Sequence, residues 1–416
     1  MLKGDFHIHG RYAQACSKTT TLSDLERNAR IKGLDILGTG DCLHPKWFQH
    51  ITESLEEDEQ GVLWSQTKFP FIWQTEVSLM YSQGGKGRRI HYVILFPDKD
   101  VVLQVRDMFL KRGRLDYDGR PIFGMSSIEL IENLMQISRN IEMIPGHHFT
   151  SWFGLHGSKS GFNSVHECFQ EKSRLIHAVE TGMSSDPEMN RRISSLDGYQ
   201  LVSFSDNHSA HPWRLGREAT LFDTKTDYQE ILHTIRTGEK LIGTIETPPE
   251  YGKYHVDGHR NCNAVFNSVA ETKKANGICP KCNKELTIGV AYRVEELADR
   301  SVEEGKKLAH QKQVHRLIPL HELICGIYDI KLLASKKVNE IYQQLIKRFG
   351  SEFNILMEAE RKALEEVVHP KLADLILKNR EGNLRLEAGY DGVYGRILLN
   401  KEEMLAETKQ KKLGEF

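Results

Sequence analysis

Apolar runs recur along the first half of the chain, each bounded by a turn residue. From Leu2 to Ile8 the pattern alternates and Gly10 closes it, which predicts a short half-buried strand. A helix is expected next: Ser23 and Glu26 stand at capping-box spacing, Leu25, Ala29 and Ile31 give a partial apolar face, and Gly33 stops it. Further strands are expected from Leu34 to Leu37, Phe69 to Thr75, Ile90 to Leu95, Leu175 to Val179 and Tyr199 to Ser205. A helix carrying Leu130, Leu134, Ile137 and Ile141 leads into the run at Met143 and Ile144. Helices and strands thus alternate, the pattern of a β/α barrel or a doubly wound sheet. Pro248-Pro249 and Tyr251-Gly252 mark a linker. The end of the chain is helical by pattern, with Val338, Ile341, Tyr342, Leu345 and Ile346 on one face and a further helix from Pro370 to Lys378. Three segments follow: 1–247, 248–296 and 297–416.

Chemistry-bearing residues sit where the strands stop. His7 and His9, at i and i+2, share a face, and neutral imidazoles so placed suit two ligands of one metal. Asp41 with His44, Glu76, His147 with His148, Glu180, and Asp206 with His208 repeat the event. Parallel strands open their C-terminal ends on one face, so most of these groups can meet in one bowl. His91 begins its strand and fits that scheme less well. Mixed carboxylate and imidazole ligands suit Zn²⁺, Mn²⁺ or Fe²⁺. Two such ions roughly 4 Å apart ionise water and stabilise the leaving oxygen of a phosphodiester.

A length of 416 residues implies two or three domains. Net charge is −1, so any nucleic-acid contact must come from local patches. With 27% charged and 39% hydrophobic residues, no apolar leader and no spanning run, a cytoplasmic protein without membrane contact is expected. The 7 cysteines favour metal binding in a reducing compartment over a disulfide framework. His259-x-x-Cys262 and Cys279-Pro280-Lys281-Cys282 have the spacing of a structural zinc site with three sulfurs and one nitrogen; His255 competes with His259 for the nitrogen. Four protein ligands leave no open position, so this zinc folds its segment and does not catalyse.

The order of strand-end residues is similar to the PHP (polymerase and histidinol phosphatase) phosphoesterase family over roughly residues 3 to 220. That resemblance implies a distorted seven-stranded barrel and two or three divalent metals (Zn, Mn or Mg). Its ligands fall on His7 and His9, Asp41 in place of a usual histidine, Glu76, His91, His147 within Pro145-Gly146-His147, and Asp206 with His208. One further family ligand has no clear match, Cys16 being nearest; His44, His148 and Glu180 stand beside the cluster. Gly40-Asp41 with His44-Pro45-Lys46-Trp47, the stretch from Ser205 to Glu218, the zinc cysteines, the stretch from Tyr292 to Arg300 and the loop from Gly389 to Gly395 narrow the resemblance to the endonuclease Q family, through essentially the whole chain. It implies an α/β fold, a distorted PHP-type (β/α)7 barrel followed by a small zinc-binding module and a helical C-terminal region. The activity it implies is a DNA repair endonuclease that uses metal-activated water to cut 5′ to a deaminated base (uracil, hypoxanthine, xanthine) or an abasic site. A phosphatase of a small phosphomonoester would need neither the zinc module nor the helical tail, and a non-catalytic clamp-associated DNA-binding scaffold would not keep the ligand set.

Trp152 and Phe153 follow the His147 loop and either stack on a nucleobase or pack the loop on the rim. Arg214 is a candidate phosphate contact, with Trp213 and Leu215 as core. Arg88 and Arg89 read as a solvated hairpin turn, and Lys336, Lys337, Lys347 and Arg348 as a solvated helix face in preference to a DNA contact. Gln410, Leu413 and Phe416 form Gln-x-x-Leu-x-x-Phe, similar to the motif by which repair proteins bind the sliding clamp PCNA.

Overall fold

The computed structural model describes residues 1–400 and 402–405, so Gln410, Leu413 and Phe416 lie outside the described residues. The first strand, Leu2–Asp5, pairs in parallel with Ile36–Gly38 and antiparallel with Ala219–Phe222. Ile36–Gly38 continues in parallel to Pro70–Gln83, which forms a long hairpin with Lys86–Phe96, and that strand pairs antiparallel with Glu142–Pro145. On the other side Ala219–Phe222 takes Leu241–Glu246 antiparallel, and Leu241–Glu246 takes Gln313–Arg316 in parallel. The result is a mixed sheet of eleven strands, with a separate parallel pair, Ala178–Glu180 and Gln200–Val202.

Both faces of the central strands are buried. Phe6, Ile36, Ile72, Val93, Ile144, Val202 and Phe222 form one apolar cluster, and their neighbours Leu37, Phe71, Ile94 and Met143 join a larger one under the helices. This is why these strands read as near-continuous apolar runs.

Several boundaries differ from the sequence expectation for local reasons. The first strand stops at Asp5, whose carboxylate accepts from Ser205 N, Ser205 Oγ and Gly216 N and so draws the chain off the ladder; only Ile8 pairs again, with Asn207. The first helix is Leu22–Lys32, and its capping box is Thr21 with Asp24, not Ser23 with Glu26; Gly33 closes it in the left-handed region at φ 97°. The strand expected to end at Glu76 runs on to Gln83, because Val77 and Leu79 continue the buried pattern and Gly84-Gly85, both at positive φ, turn the hairpin. Arg88 is not solvated: its guanidinium lies over Phe162 at 3.8 Å and donates to the Gly161 carbonyl, while Arg89 is exposed.

Lys336–Phe349 and Pro370–Arg380 form helices where the pattern placed them, the first burying Val338, Tyr342 and Leu345; a further helix not foreseen in the sequence, Leu320–Tyr328, is buried on nearly every side. A buried ion pair ties them to the first helix: Lys32 Nζ donates to Glu352 Oε1 at 2.7 Å and to the Pro212 carbonyl at 3.0 Å. The loop from Gly389 to Gly395 binds the stretch after Pro249 through the backbone pairs Gly389–Glu250, Val256–Gly389 and Gly395–Tyr251. No helix among the described residues is long and apolar enough to cross a membrane.

Candidate metal centre

Glu76 lies at the middle of the site, fully buried on Pro70–Gln83. Its Oε1 is 2.7 Å from His91 Nδ1, 3.3 Å from His147 Nε2 and 3.5 Å from His7 Nε2. Its Oε2 is 3.1 Å from His9 Nε2 and 3.0 Å from Arg120 Nη1. Glu76 therefore belongs to two donor groups, His7–His9–Glu76–Asp206 and Glu76–His91–His147, in each of which the ligand atoms lie within 4.8 Å of one another. His91 lies in the middle of its strand, Lys86–Phe96, and not at its start; that strand is antiparallel to Pro70–Gln83 and sets His91 opposite Ser78.

The strand-end loops present the other ligands in left-handed backbone: His147 has φ 29° and Asp206 φ 45°, values that side-chain-bearing residues seldom adopt and that cluster at functional sites. Gly182 permits the approach, since a Cβ there would stand 2.7 Å from that of His147.

Behind the ligands is a layer of carboxylates. Glu180 meets His7 Nδ1 at 2.9 and 3.0 Å and accepts from the His147 backbone N–H at 2.5 Å. Asp41 meets His9 Nδ1 at 2.9 Å and accepts from Gly10 N at 2.6 Å. A carboxylate on Nδ1 fixes the proton there and turns the Nε2 lone pair outward, the usual support of a metal-bound imidazole. His7 Nε2 is buried without a hydrogen-bond partner, facing Glu76 and Asp206. The donor set, its anchoring and this orphaned nitrogen fit a divalent cation.

The electrostatics agree. Burial resists charge on every group, yet the charges of His91, Arg120 and His7 hold Glu76 well below the carboxylate range, and His7 and His9 do the same for Asp206. In the absence of an ion, burial opposes protonation of His7 and His9, but Glu180, Glu76 and Asp206 around the one and Asp41 and Asp206 around the other raise both. At His91 burial wins and the imidazole drops to about 4.

Six of the eight expected ligands converge in these groups. Asp41 and His208 lie outside both: Asp41 stands behind His9, and the His208 ring packs tilted against His9 with ring centroids 4.4 Å apart and its Nδ1 on the Asp206 carbonyl. Cys16 is also outside them. His44 caps the helix Pro45–Ser54 and stacks on Tyr12, and His148 is buried against His156 and Asn190. Phe153 packs on the His91 ring at 4.5 Å, and its carbonyl accepts from His91 N; Trp152 is 40% exposed, with Lys159 over its ring. Arg214 is engaged by Glu322 at 3.2 Å and lies over Tyr394. Arg120 was not visible in the sequence: it comes from an irregular loop and belongs to no motif.

A third donor group joins His259, Cys262, Cys279 and Cys282 within 4.8 Å, and His255 lies outside it. Burial resists ionisation of Cys279, but the Lys281 and Cys282 N–H groups and neighbouring sulfurs bring it down to about 7. The apolar cluster of this segment has only Ala264, Cys279 and Leu286 as buried members. So small a core needs a staple.

The mixed α/β sheet with two histidine–carboxylate groups that share a glutamate matches the PHP-type fold expected from the sequence. Within that class the chain has the fold of endonuclease Q. It superposes on the lesion-specific endonuclease PfuEndoQ from Pyrococcus furiosus with a TM-score of 0.83 and 27% identity, covering 98% of this chain and 97% of that one. It superposes on endonuclease Q in complex with a 27-mer duplex carrying an abasic lesion at the active site with a TM-score of 0.85 and 28% identity, covering 98% and 99%. Residues 319–383 match the MJ0043 C-terminal domain family. Similar curated proteins are the uncharacterized protein MJ0043 of Methanocaldococcus jannaschii, 32% identical over 262 residues, and the uncharacterized protein YqxK of Bacillus subtilis, 29% identical over 416 residues. The match to MJ0043 spans 62% of this chain and only 32% of that protein, whereas the match to YqxK spans 94% and 98%.

Proposed function

We propose that this chain is a metal-dependent DNA repair endonuclease that hydrolyses the phosphodiester 5′ to a deaminated base or an abasic site. The observation that carries this is the pair of donor groups sharing Glu76, set in a fold that matches endonuclease Q along nearly its whole length. His7, His9, Glu76 and Asp206 would hold one divalent ion and Glu76, His91 and His147 a second. When bound, such ions acidify water and stabilise charge on the phosphate and the departing oxygen. Glu180 and Asp41 keep the imidazoles of His7 and His9 turned toward the centre, and Phe153 shields His91 from solvent. His208 lines the site beside His9, and the exposed Trp152 is the aromatic face offered to an extruded nucleotide.

His259, Cys262, Cys279 and Cys282 hold a structural zinc that folds residues 248–296 as a module between the catalytic segment, 1–247, and the C-terminal segment, 297–416. The tail at Gln410, Leu413 and Phe416 binds a sliding clamp of the PCNA type.

The test is a labelled duplex with one central abasic site or uracil, with Mg²⁺ or Mn²⁺, run beside p-nitrophenyl phosphate. One nick 5′ to the lesion with 3′-hydroxyl and 5′-phosphate ends is expected. Release of free uracil before scission, or turnover of the monoester alone, overturns the reading.

A further inference from the structure

Of the groups around Glu76, one has no part in holding an ion. Arg120 reaches Glu76 Oε2 with Nη1 at 3.0 Å, and its side chain is 23% exposed at the mouth of the site. A guanidinium carries five N–H donors. Among the described residues Glu76 is the only acceptor that engages its guanidinium, so the remaining donors are left for a bound group. Arg120 stays charged: the carboxylates of Glu76 and Asp206 raise it further, against burial.

The loop that carries Arg120 is fixed to the same layer that orients the ligands. Arg120 N donates to Asp118 Oδ1, which also accepts from Gln14 N, and Gly119 N donates to the Tyr12 carbonyl. A Cβ at Gly119 would lie 2.3 Å from Asp41 Oδ2 and 2.9 Å from Ala13 N, so only glycine lets the loop lie this close behind His9. A mere counter-charge for Glu76 is hardly required, since four imidazoles already surround that carboxylate. A planar cation with free donors beside a phosphodiester-cleaving centre matches a phosphate oxygen.

We propose that Arg120 is a catalytic residue that binds a non-bridging oxygen of the scissile phosphodiester and stabilises the charge it gains in the transition state. This rests on the endonuclease reading above. In the step it serves, a water oxygen bonds to phosphorus, the bond from phosphorus to the 3′ oxygen breaks, and a proton from water ends on that oxygen. Arg120 exchanges no proton.

The test compares Arg120→Met and Arg120→Lys with wild type on a short duplex with one abasic site. Arg120→Met should lower kcat by 10²- to 10³-fold with a much smaller change in KM, as loss of one preorganised donor does. Arg120→Lys should regain part of the loss, and metal content should stay at the wild-type value. Binding of the same duplex without added Mg²⁺ or Mn²⁺ should lose about 0.9 from the slope of log affinity against log salt in Arg120→Met, one phosphate contact's worth. Wild-type kcat and slope in Arg120→Met overturn the proposal, and so does loss of a barrel metal equivalent, which would make Arg120 a support for Glu76. A wild-type protein that nicks no lesion duplex overturns the endonuclease reading instead, and the salt slope then decides Arg120 on its own.

Discussion

Glu180→Gln isolates the layer behind the metal ligands. The carboxylate serves two donors at once, His7 Nδ1 at 2.9 and 3.0 Å and the His147 backbone N–H at 2.5 Å, and all three groups are buried. Glutamine has the same shape but only one acceptor oxygen. Its NH₂ must face either the His7 Nδ1–H or the His147 N–H, leaving a buried donor unmatched at a cost of about 1–3 kcal/mol. That cost falls on the metal-ready arrangement, because His7 can recover a partner only by turning its ring away. At 1.4 kcal/mol per decade the loss corresponds to roughly a 10- to 100-fold weaker metal site, the range found for other carboxylate–imidazole supports. The assay is nicking of a lesion duplex against Mn²⁺ concentration, paired with calorimetric Mn²⁺ titration and a zinc determination to show that the cysteine site is intact. The Mn²⁺ requirement should rise by that factor while kcat at saturating Mn²⁺ returns toward wild type. An unchanged requirement would refute the idea that Glu180 orients His7.

Asp206→Asn and His9→Ala should each abolish nicking while leaving far-UV circular dichroism intact, because both side chains sit at loop ends outside the apolar clusters; near-native activity with metal content confirmed would sink the ligand assignment. Cys279→Ser should remove one zinc equivalent and loosen residues 248–296, spare the barrel metals and weaken DNA binding; an unchanged zinc count refutes it. Lys32→Met leaves Glu352 buried with, among the described residues, only Leu320 N and the Tyr342 hydroxyl as donors and should destabilise by about 3–5 kcal/mol in urea, much of it recovered in Lys32→Met/Glu352→Gln; a loss under ~1 kcal/mol contradicts the ion pair. Burial, with the Glu180 carboxylate nearby, raises Glu218 to about 8 against Arg217 and the Ser203 hydroxyl, so the folded state holds a proton that the unfolded state releases above pH ~4.3. Stability should therefore fall from about pH 5 to 8, and Glu218→Gln should flatten that fall; identical pH profiles would show that Glu218 ionises normally.

How far the site was legible depended on whether each residue's chemistry coincided with a break in pattern. His7, His9, His147 and Asp206 interrupt apolar runs and stand out, and the spacing of Cys262, Cys279 and Cys282 is a metal signal in itself. Glu76 was found for a partly mistaken reason: it does not end a strand but lies within one, where the hairpin with Lys86–Phe96 holds it against His91. Asp41 looked like a ligand because it follows a strand, and only the fold reveals that its carboxylate is taken up by His9 Nδ1 and Gly10 N. Arg88 looked solvated because it follows Gly84-Gly85, whereas its partners Gly161 and Phe162 come from a distant loop. Arg120 left no trace in the sequence for the same reason: what matters about it is a contact 44 residues away.

The loop after His147 connects the two metal-binding groups mechanically. Phe153 packs on His91, and the same loop sends Ser151 Oγ and Ser158 Oγ to the Ile288 carbonyl, just past Cys279 and Cys282. Arg293, nearly buried, donates to the carbonyls of His156 and Phe162 and so clamps the far side of the loop to the helix Val290–Leu297. The segment 248–296 thus sets the position of Trp152 and Phe153 although it supplies no residue to the groups that share Glu76. On the proposed reading, loosening the thiolate site should then disturb DNA binding before it disturbs the groups that share Glu76, since His147 itself is pinned independently by Glu180. On the proposed reading, a zinc ion at the cysteine group would be more than a staple for its own segment: through Ile288 and Arg293 it would also hold the loop that carries Trp152 and Phe153.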